Sequence, residues 1–177
     1  MQYNVSQLLK EGAGAMRDYD LREDIQRLDP EIAPLSTLNG AIQMIRTNDG
    51  IYVRGNLNLS TELICSRCLD PFSMPLKFTL DEEFRATLDI VTGAHLPVLD
   101  EDESATLIDE HHTLDLTEVA RQGILLAMPP FPICRTNCAG LCPTCGKNRN
   151  FEECHHVEDT IDPRLEKLRE LLNEGND

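Results

Sequence analysis

The seven cysteines of this chain restrict its fold more than any other feature, because their spacing is that of metal ligands. Two of them form the motif Cys65-Ser-Arg-Cys68, and the others follow much later in the chain. The later group consists of Cys134, Cys138, Cys142, Cys145 and Cys154. Zinc in proteins takes four thiolate or imidazole ligands in a tetrahedron, and a Cys-x-x-Cys turn brings two of them to one ion. With one histidine of the pair His155-His156, the chain offers eight such ligands, enough for two closed sites.

The use of cysteine depends on the compartment in which the protein works. The first ten residues, Met1 to Lys10, lack the apolar core of a signal peptide, and no apolar run reaches the length of a membrane span. We therefore expect a cytoplasmic protein that makes no membrane contact. Thiols stay reduced in the cytoplasm, and an odd number of cysteines would leave one unpaired in any disulfide scheme. Metal binding is accordingly the favoured use of these residues.

The most specific element is Cys142-Pro-Thr-Cys145-Gly146, a zinc knuckle in which glycine permits the turn after the second ligand. Cys154 completes this site with His156 or His155, and Cys134 and Cys138 then pair with the earlier motif. We predict one or two structural zinc ions with ligands from the set Cys65, Cys68, Cys134, Cys138, Cys142, Cys145, Cys154 and His156. An interleaved scheme, in which the two Cys-x-x-Cys motifs share one ion, stays open. We favour the sequential scheme because it closes the shorter loop at lower entropic cost.

Two enzymatic interpretations compete with structural zinc. A redox dithiol at Cys65 and Cys68 needs a helix N-terminus after the first cysteine, and Pro71 breaks any helix there. A catalytic zinc keeps one open coordination position, whereas eight donors for two ions leave none. The pair His111-His112 has no partner at ligand spacing and is interpreted as a solvated loop pair. We therefore predict that the protein is not an enzyme, with a thiol redox or zinc-dependent enzyme as the alternative.

Alternating apolar residues predict a long β-hairpin. Ile51–Ile64 and Pro71–Thr87 each place apolar side chains at every second position, so that the first Cys-x-x-Cys motif falls at the hairpin tip. Residues 37–47 form a preceding strand, and Asn48-Asp49-Gly50 forms a tight turn because Asp-Gly favours positive φ. Ala15–Leu21 is a further candidate strand, and Thr106–Ile108 a short one.

Helix signals flank these strands. Ser6 is a candidate cap for a short helix that ends at Gly12, and Asp115 a candidate cap for a helix over 116–128 that Pro129 stops. Asp162-Pro163 begins a last helix, whose apolar stripe consists of Leu165, Leu168, Leu171 and Leu172. The sequence thus predicts an α+β fold. Residues 1–130 form an antiparallel β-rich domain with an acidic loop at 89–104, and residues 131–177 a Cys-rich zinc-binding lobe with a terminal helix.

The charge of the chain bears on its partners. The net charge is −15, and residues 81–118 contain twelve acidic residues against one basic residue. Such a surface repels a phosphate backbone, so we expect a protein partner rather than RNA. Direct RNA binding by a zinc-ribbon-like lobe is the alternative, through a patch of Arg135, Lys147, Arg149 and Arg164. The low aromatic content of 5% counts against it, because RNA bases stack on aromatic side chains.

The sequence resembles the YceD family, bacterial and plastid proteins named for large ribosomal RNA subunit accumulation. The resemblance covers about residues 35–172. Its matching pieces are Cys65-Ser-Arg-Cys68-Leu-Asp-Pro-Phe72, Ala127-Met-Pro129, Cys134-x-x-x-Cys138-Ala-Gly-Leu-Cys142-Pro-Thr-Cys145-Gly146, the region of Asn150 and Cys154, and Ile161-Asp-Pro-Arg-Leu165.

The resemblance implies a non-enzymatic role in accumulation or processing of 23S ribosomal RNA, hence in assembly of the large subunit. Its implied partner is a ribosomal protein or a processing factor. Family members often end the cluster with Cys-x-Cys, whereas this chain has His156 at the last position, an exchange that keeps a zinc ligand. Members with few of these cysteines also exist, which implies that the metal supports stability rather than chemistry.

Overall fold

The computed structural model describes residues 1–97 and 105–156, which form an α+β fold built mainly from antiparallel strands. In chain order the elements are β1 (Gln2–Asn4), α1 (Ser6–Lys10), β2 (Met16–Glu23), β3 (Leu38–Arg46), β4 (Gly50–Ile64), β5 (Pro71–Ala86), β6 (Leu107–Ile108), β7 (Thr113–Asp115) and α2 (Thr117–Ala127). Strands β2 to β6 form one sheet in sequence order, antiparallel except that β6 runs parallel to β5. Strands β1 and β7 pair antiparallel in a second, two-stranded sheet.

The predicted hairpin is confirmed as β4 and β5. The two strands pair from Gly50 opposite Arg85 to Ile64 opposite Pro71, so the hairpin extends well beyond the other strands. Every second residue of β4 is buried through most of its length, as a sheet with one covered face requires. That face packs against both helices in one apolar cluster, which includes Leu8 of α1 and Ile124 of α2.

The helix boundaries differ in detail from the sequence prediction. Ser6 does not cap α1: it is the first helical residue, and its hydroxyl donates to Oδ1 of Asn4 at 2.6 Å. The N-cap of α2 is Leu116, one residue later than predicted, and Asp115 just before it accepts the N–H of Thr117 at 2.8 Å, which satisfies a free donor at the start of the helix. Strands β1 and β7 were not predicted, because three residues are too few to reveal an alternation.

The turn before β4 is present, but the predicted reason for its glycine is wrong. Gly50 does not have a positive φ. Instead, a Cβ atom at Gly50 would lie 1.8 Å from the carbonyl oxygen of Phe84. Thr47 closes the turn, since its N–H donates to the Gly50 carbonyl and its hydroxyl accepts the Gly50 N–H, both at 3.0 Å. Glycine is therefore needed because the backbones of β4 and β5 approach closely here.

Some predictions fall outside the described residues. These are the helix predicted to begin at Asp162 and residues 98–104 of the predicted acidic loop. The division of the chain at residue 130 stays a prediction. Over residues 1–97 and 105–156, the structure contains no helix of sufficient length and apolarity to cross a membrane.

Replacement of Gly50 by alanine tests the close approach. We expect Gly50→Ala to lower the free energy of unfolding by about 3 kcal/mol, because β4 and β5 must separate to admit the methyl group. Gly12→Ala is the matched control, since nothing lies within 4 Å of a Cβ atom there. It should change stability by less than about 0.5 kcal/mol in urea unfolding. Equal midpoints for the two variants would contradict this account of the turn.

Candidate metal centre

The tip of the β4–β5 hairpin supplies the first two sulfurs. Cys65 and Cys68 lie on the turn between the strands, which closes through a hydrogen bond from the Leu69 N–H to the Cys65 carbonyl at 2.9 Å. The Cys65 N–H donates to the carbonyl of Asp70 at 3.0 Å. Leu69 has a φ of 60°, a left-handed conformation that costs energy for a branched side chain. The turn therefore holds both sulfurs at the end of the sheet.

The segment after α2 returns to this tip. The Ser66 N–H donates to the carbonyl of Pro132 at 2.8 Å, and the Cys134 N–H donates to Sγ of Cys65 at 3.4 Å. The first cluster consists of Cys65, Cys68, Cys134 and Cys138, whose sulfurs all lie within 4.8 Å of one another. Cys134 and Cys138 are far from the hairpin tip in sequence, and the fold places them beside it.

The sulfur distances fit a tetrahedral metal site. Sγ of Cys65 lies 3.9 Å from Sγ of Cys138, and Sγ of Cys68 lies 3.8 Å from Sγ of Cys134. Four thiolates at about 2.3 Å from a zinc ion would be separated by about 3.8 Å along each edge of the tetrahedron. All seven cysteines are free, so disulfides do not account for this proximity. The four residues of the first cluster fit a divalent ion with a full set of sulfur ligands.

The electrostatics of the first cluster favour a cation. Backbone N–H groups, first that of Cys68 and then that of Cys134, lower the pKa of Cys65 to about 6. Burial raises the pKa of Cys134. The N–H of Asp70 favours a thiolate at Cys68, but burial and the neighbouring thiols outweigh it and raise the pKa of Cys68 to about 12. The four thiols therefore do not all ionise without a counter-charge, and a divalent ion would supply one.

The second cluster consists of Cys142, Cys145, Cys154 and His156, again with all ligand atoms within 4.8 Å of one another. Sγ of Cys142 lies 4.0 Å from Nδ1 of His156. The predicted role of Gly146 is confirmed: its φ is 73°, and its N–H donates to the Cys142 carbonyl at 2.8 Å. Backbone N–H groups of Cys145 and then Thr144 lower the pKa of Cys142 to about 6.

The two clusters differ in exposure. In the first cluster Cys65, Cys68 and Cys138 are buried, whereas in the second cluster Cys142 is buried and both Cys145 and His156 are exposed. Thiolates in contact with water exchange metal and react with oxidants more readily than buried ones. A metal ion in the first cluster would therefore exchange slowly. The second cluster is more accessible to water and oxidants.

The structure groups the candidate ligands as the sequential scheme predicts, and the interleaved grouping does not occur. His156 rather than His155 joins the second cluster. His111 and His112 belong to neither cluster. His112 lies in a tight turn with a φ of 57°, and its Nδ1 is buried with no hydrogen-bond partner among residues 1–97 and 105–156.

Three polar residues beside the clusters were not predicted from the spacing of the cysteines. The side-chain amide of Asn150 donates to Sγ of Cys138 at 3.4 Å and lowers the pKa of that thiol. Asn148 donates to a carboxylate oxygen of Asp70 at 2.6 Å, and Arg67 donates to the Cys138 carbonyl at 3.1 Å. From the sequence, Asn150 was named only within a region that resembles the YceD family. A polar residue that supports a ligand has no fixed spacing from the ligands, so the pattern did not identify its role.

Comparison with known proteins identifies related sequences. A model of the family described as "Large ribosomal RNA subunit accumulation protein YceD" matches residues 53–172, a span that contains both clusters. An uncharacterized protein of Mycobacterium tuberculosis is 36% identical over 130 residues, which are 73% of this chain and 59% of that protein. An uncharacterized protein of Mycobacterium leprae is 27% identical over 135 residues, 76% of this chain and 59% of that protein. The chain thus spans little more than half the length of these relatives. No solved structure matches it.

Removal of one sulfur from each cluster tests whether the clusters stabilise the fold through a metal. In buffer that contains Zn²⁺, we expect Cys68→Ser to lower the melting temperature by roughly 10 °C, because metal binding and folding are coupled. Cys145→Ser should lower it less, because Cys145 is exposed. Differential scanning calorimetry measures both. An unchanged melting temperature of the parent chain after treatment with a strong chelator would contradict a stabilising metal.

Proposed function

The chain belongs to the YceD family of large ribosomal RNA subunit accumulation proteins, and we propose from this that it is a non-enzymatic accessory factor in 23S ribosomal RNA accumulation and processing, and so in large-subunit biogenesis. The observation that carries the proposal is the family match over residues 53–172, which contains most of the β4–β5 hairpin and all eight donors of the two clusters. Its place of action would be the bacterial cytoplasm.

We further propose that each cluster holds a structural zinc ion. The first cluster offers four sulfurs and the second offers three sulfurs and one imidazole, and both sets are standard for structural zinc. A bound zinc ion supplies a cross-link without redox chemistry. At the first cluster, Cys65 and Cys68 fix the hairpin side of that link, and Cys134 and Cys138 fix the segment after α2.

Two observations support a structural rather than an enzymatic role. Each cluster has four donors, so a zinc ion bound by all of them keeps no open position for water or substrate. Cys65 has a low pKa, which a redox thiol also needs, but its exposed fraction is 0%. A nucleophilic thiolate must be accessible to its substrate. Slow alkylation of Cys65 in the metal-loaded protein would agree with this, and fast alkylation would favour the thiol redox alternative.

A protein partner fits the charge of the chain. With a net charge of −15, the chain attracts basic proteins and repels the phosphate backbone. Ribosomal proteins and their processing factors carry strongly basic surfaces, which are complementary to this negative charge. We propose that the chain acts through contact with such a protein during assembly of the large subunit.

Deletion of the gene tests the proposed role. We expect precursor 23S RNA to accumulate and mature 23S RNA to fall, as measured by primer extension and RNA blotting. The parent chain and Gly12→Ala should restore normal levels, and Cys68→Ser, which removes a donor from the buried cluster, should restore them less. Unchanged 23S RNA levels after deletion would contradict the proposal. Full rescue by Cys68→Ser would separate the role in RNA accumulation from the metal.

Direct RNA binding is a second candidate, favoured by the exposure of two aromatic side chains. Phe131 and Phe151 are 79% and 78% exposed, and both lie in the Cys-rich segment with Arg135 and Arg149. Exposed aromatic rings beside arginines form stacking platforms for unpaired bases. The low aromatic content of the chain is therefore a weaker objection than the sequence alone indicates.

The two phenylalanines allow a direct test of RNA binding. We expect the double variant Phe131→Ala/Phe151→Ala to bind a single-stranded 23S precursor oligonucleotide at least about 10-fold more weakly, because each stacked base contributes about 1–3 kcal/mol. Leu126→Ala is the control, since Leu126 is even more exposed, at 87%, but lies on α2. Filter binding at several salt concentrations measures this. Absent RNA binding, or equal affinity of all three proteins, would remove the candidate.

A further inference from the structure

Asn150 lies on the loop of one cluster and contacts a sulfur of the other. In sequence it stands between Cys145 and Cys154, two candidate ligands of the second cluster. Its side-chain nitrogen donates to Sγ of Cys138, in the first cluster, at 3.4 Å. The same nitrogen also donates to Oδ1 of Asn148 at 2.8 Å. The second cluster thus provides the first with a hydrogen-bond donor.

The orientation of the Asn150 amide is fixed from its other side. Its Oδ1 accepts the N–H of Ala139 at 2.9 Å and a guanidinium N–H of Arg135 at 2.7 Å. A flipped amide would direct its oxygen at the Cys138 sulfur and its nitrogen at two donors. The contacts therefore allow one orientation, with the N–H group toward the sulfur.

The loop that carries Asn150 is shaped by the second cluster. The Cys142 N–H donates to the Lys147 carbonyl at 2.8 Å, and the Arg149 N–H donates to the Gly140 carbonyl at 2.9 Å. These bonds form a small hairpin whose turn is the Cys142–Cys145 knuckle. Since the ligands of the second cluster bracket the loop, their attachment to one ion would hold Asn150 in place.

Asn148 makes a parallel link from the same loop to the hairpin tip. Its side-chain amide donates to Asp70, whose carbonyl accepts the Cys65 N–H at 3.0 Å. The Leu141 N–H donates to the carbonyl of Arg67, between Cys65 and Cys68, at 3.0 Å. The loop of the second cluster therefore contacts both halves of the first.

We propose that Asn150 is a positioning residue for the first cluster, and that metal binding at the second cluster thereby increases metal retention at the first. The inference rests on the proposed zinc sites. A hydrogen bond from Asn150 orients Cys138 and offsets charge on its sulfur, and partners of this kind change metal affinity by about 10–100-fold. The more exposed second cluster loses its ion first, which frees the loop and removes this support.

Cobalt(II) provides a probe of each site in the full-length chain, because its visible absorption differs between four-sulfur and three-sulfur, one-nitrogen coordination. The experiment records cobalt transfer to a chelator from each site. We expect Asn150→Asp, which keeps the acceptor oxygen but replaces the donor, to accelerate release from the first site by about 10-fold or more. Its sulfur-to-cobalt charge-transfer band should shift to lower energy, because Cys138 loses a hydrogen bond. The control is Asn56→Ala, on the exposed side of β4. It should change neither the rate of cobalt release nor the energy of the charge-transfer band.

Coupling between the sites has its own test. We expect Cys145→Ser, which removes a ligand of the second cluster, to accelerate release from the first site. The combination with Asn150→Asp should accelerate it no further than the stronger single variant, because a loop freed by Cys145→Ser has already lost the Asn150 contact. Additive effects, or no effect of Cys145→Ser, would overturn the coupling. Two bound cobalt ions with unchanged release and spectrum in Asn150→Asp would overturn the positioning role and leave the zinc sites intact, whereas no bound cobalt in the parent chain would overturn both.

Discussion

The sulfurs of Cys65 and Cys138 lie 3.9 Å apart although 73 residues separate them in the chain. This approach joins the tip of the long β4–β5 hairpin to the segment that follows α2. Few apolar contacts hold this segment at the hairpin tip, because the buried residues around these sulfurs form a small cluster separate from the main core. So few buried apolar residues around the sulfurs contribute little stability, and the proposed metal ion would supply a cross-link there.

The long strands and the residues that form the two clusters could be predicted from the sequence. Apolar alternation in β4 and β5 predicts which face of the hairpin is buried. Each Cys-x-x-Cys motif predicts two sulfurs that lie together on one turn. The remaining features depend on backbones that approach each other from distant parts of the chain. Gly50 is required by the Phe84 carbonyl across the hairpin, and Asn150 reaches Cys138 from another loop. Neither contact leaves a periodic pattern. The pairing of β1 with β7 joins the start of the described chain to the residues before α2, and such short strands carry no signal of their own.

The two clusters have the same number of donors but different surroundings. The first is buried except for the partly exposed Cys134, offers only sulfur ligands, and connects two parts of the chain. The second is more exposed, includes an imidazole and closes a local loop. The first cluster therefore joins distant segments, whereas the second holds a single loop. The family relation to large ribosomal RNA subunit accumulation supports a ribosome-related role, and the proposed basic protein partner would complement the net charge of −15.

Native mass spectrometry of the protein, purified without chelator, would decide whether both clusters bind metal as proposed. We expect a mass that exceeds the reduced polypeptide by two zinc ions, with loss of both after acidification. A protein that carries no metal, and whose seven cysteines all react at once with a thiol reagent under native conditions, would contradict this expectation.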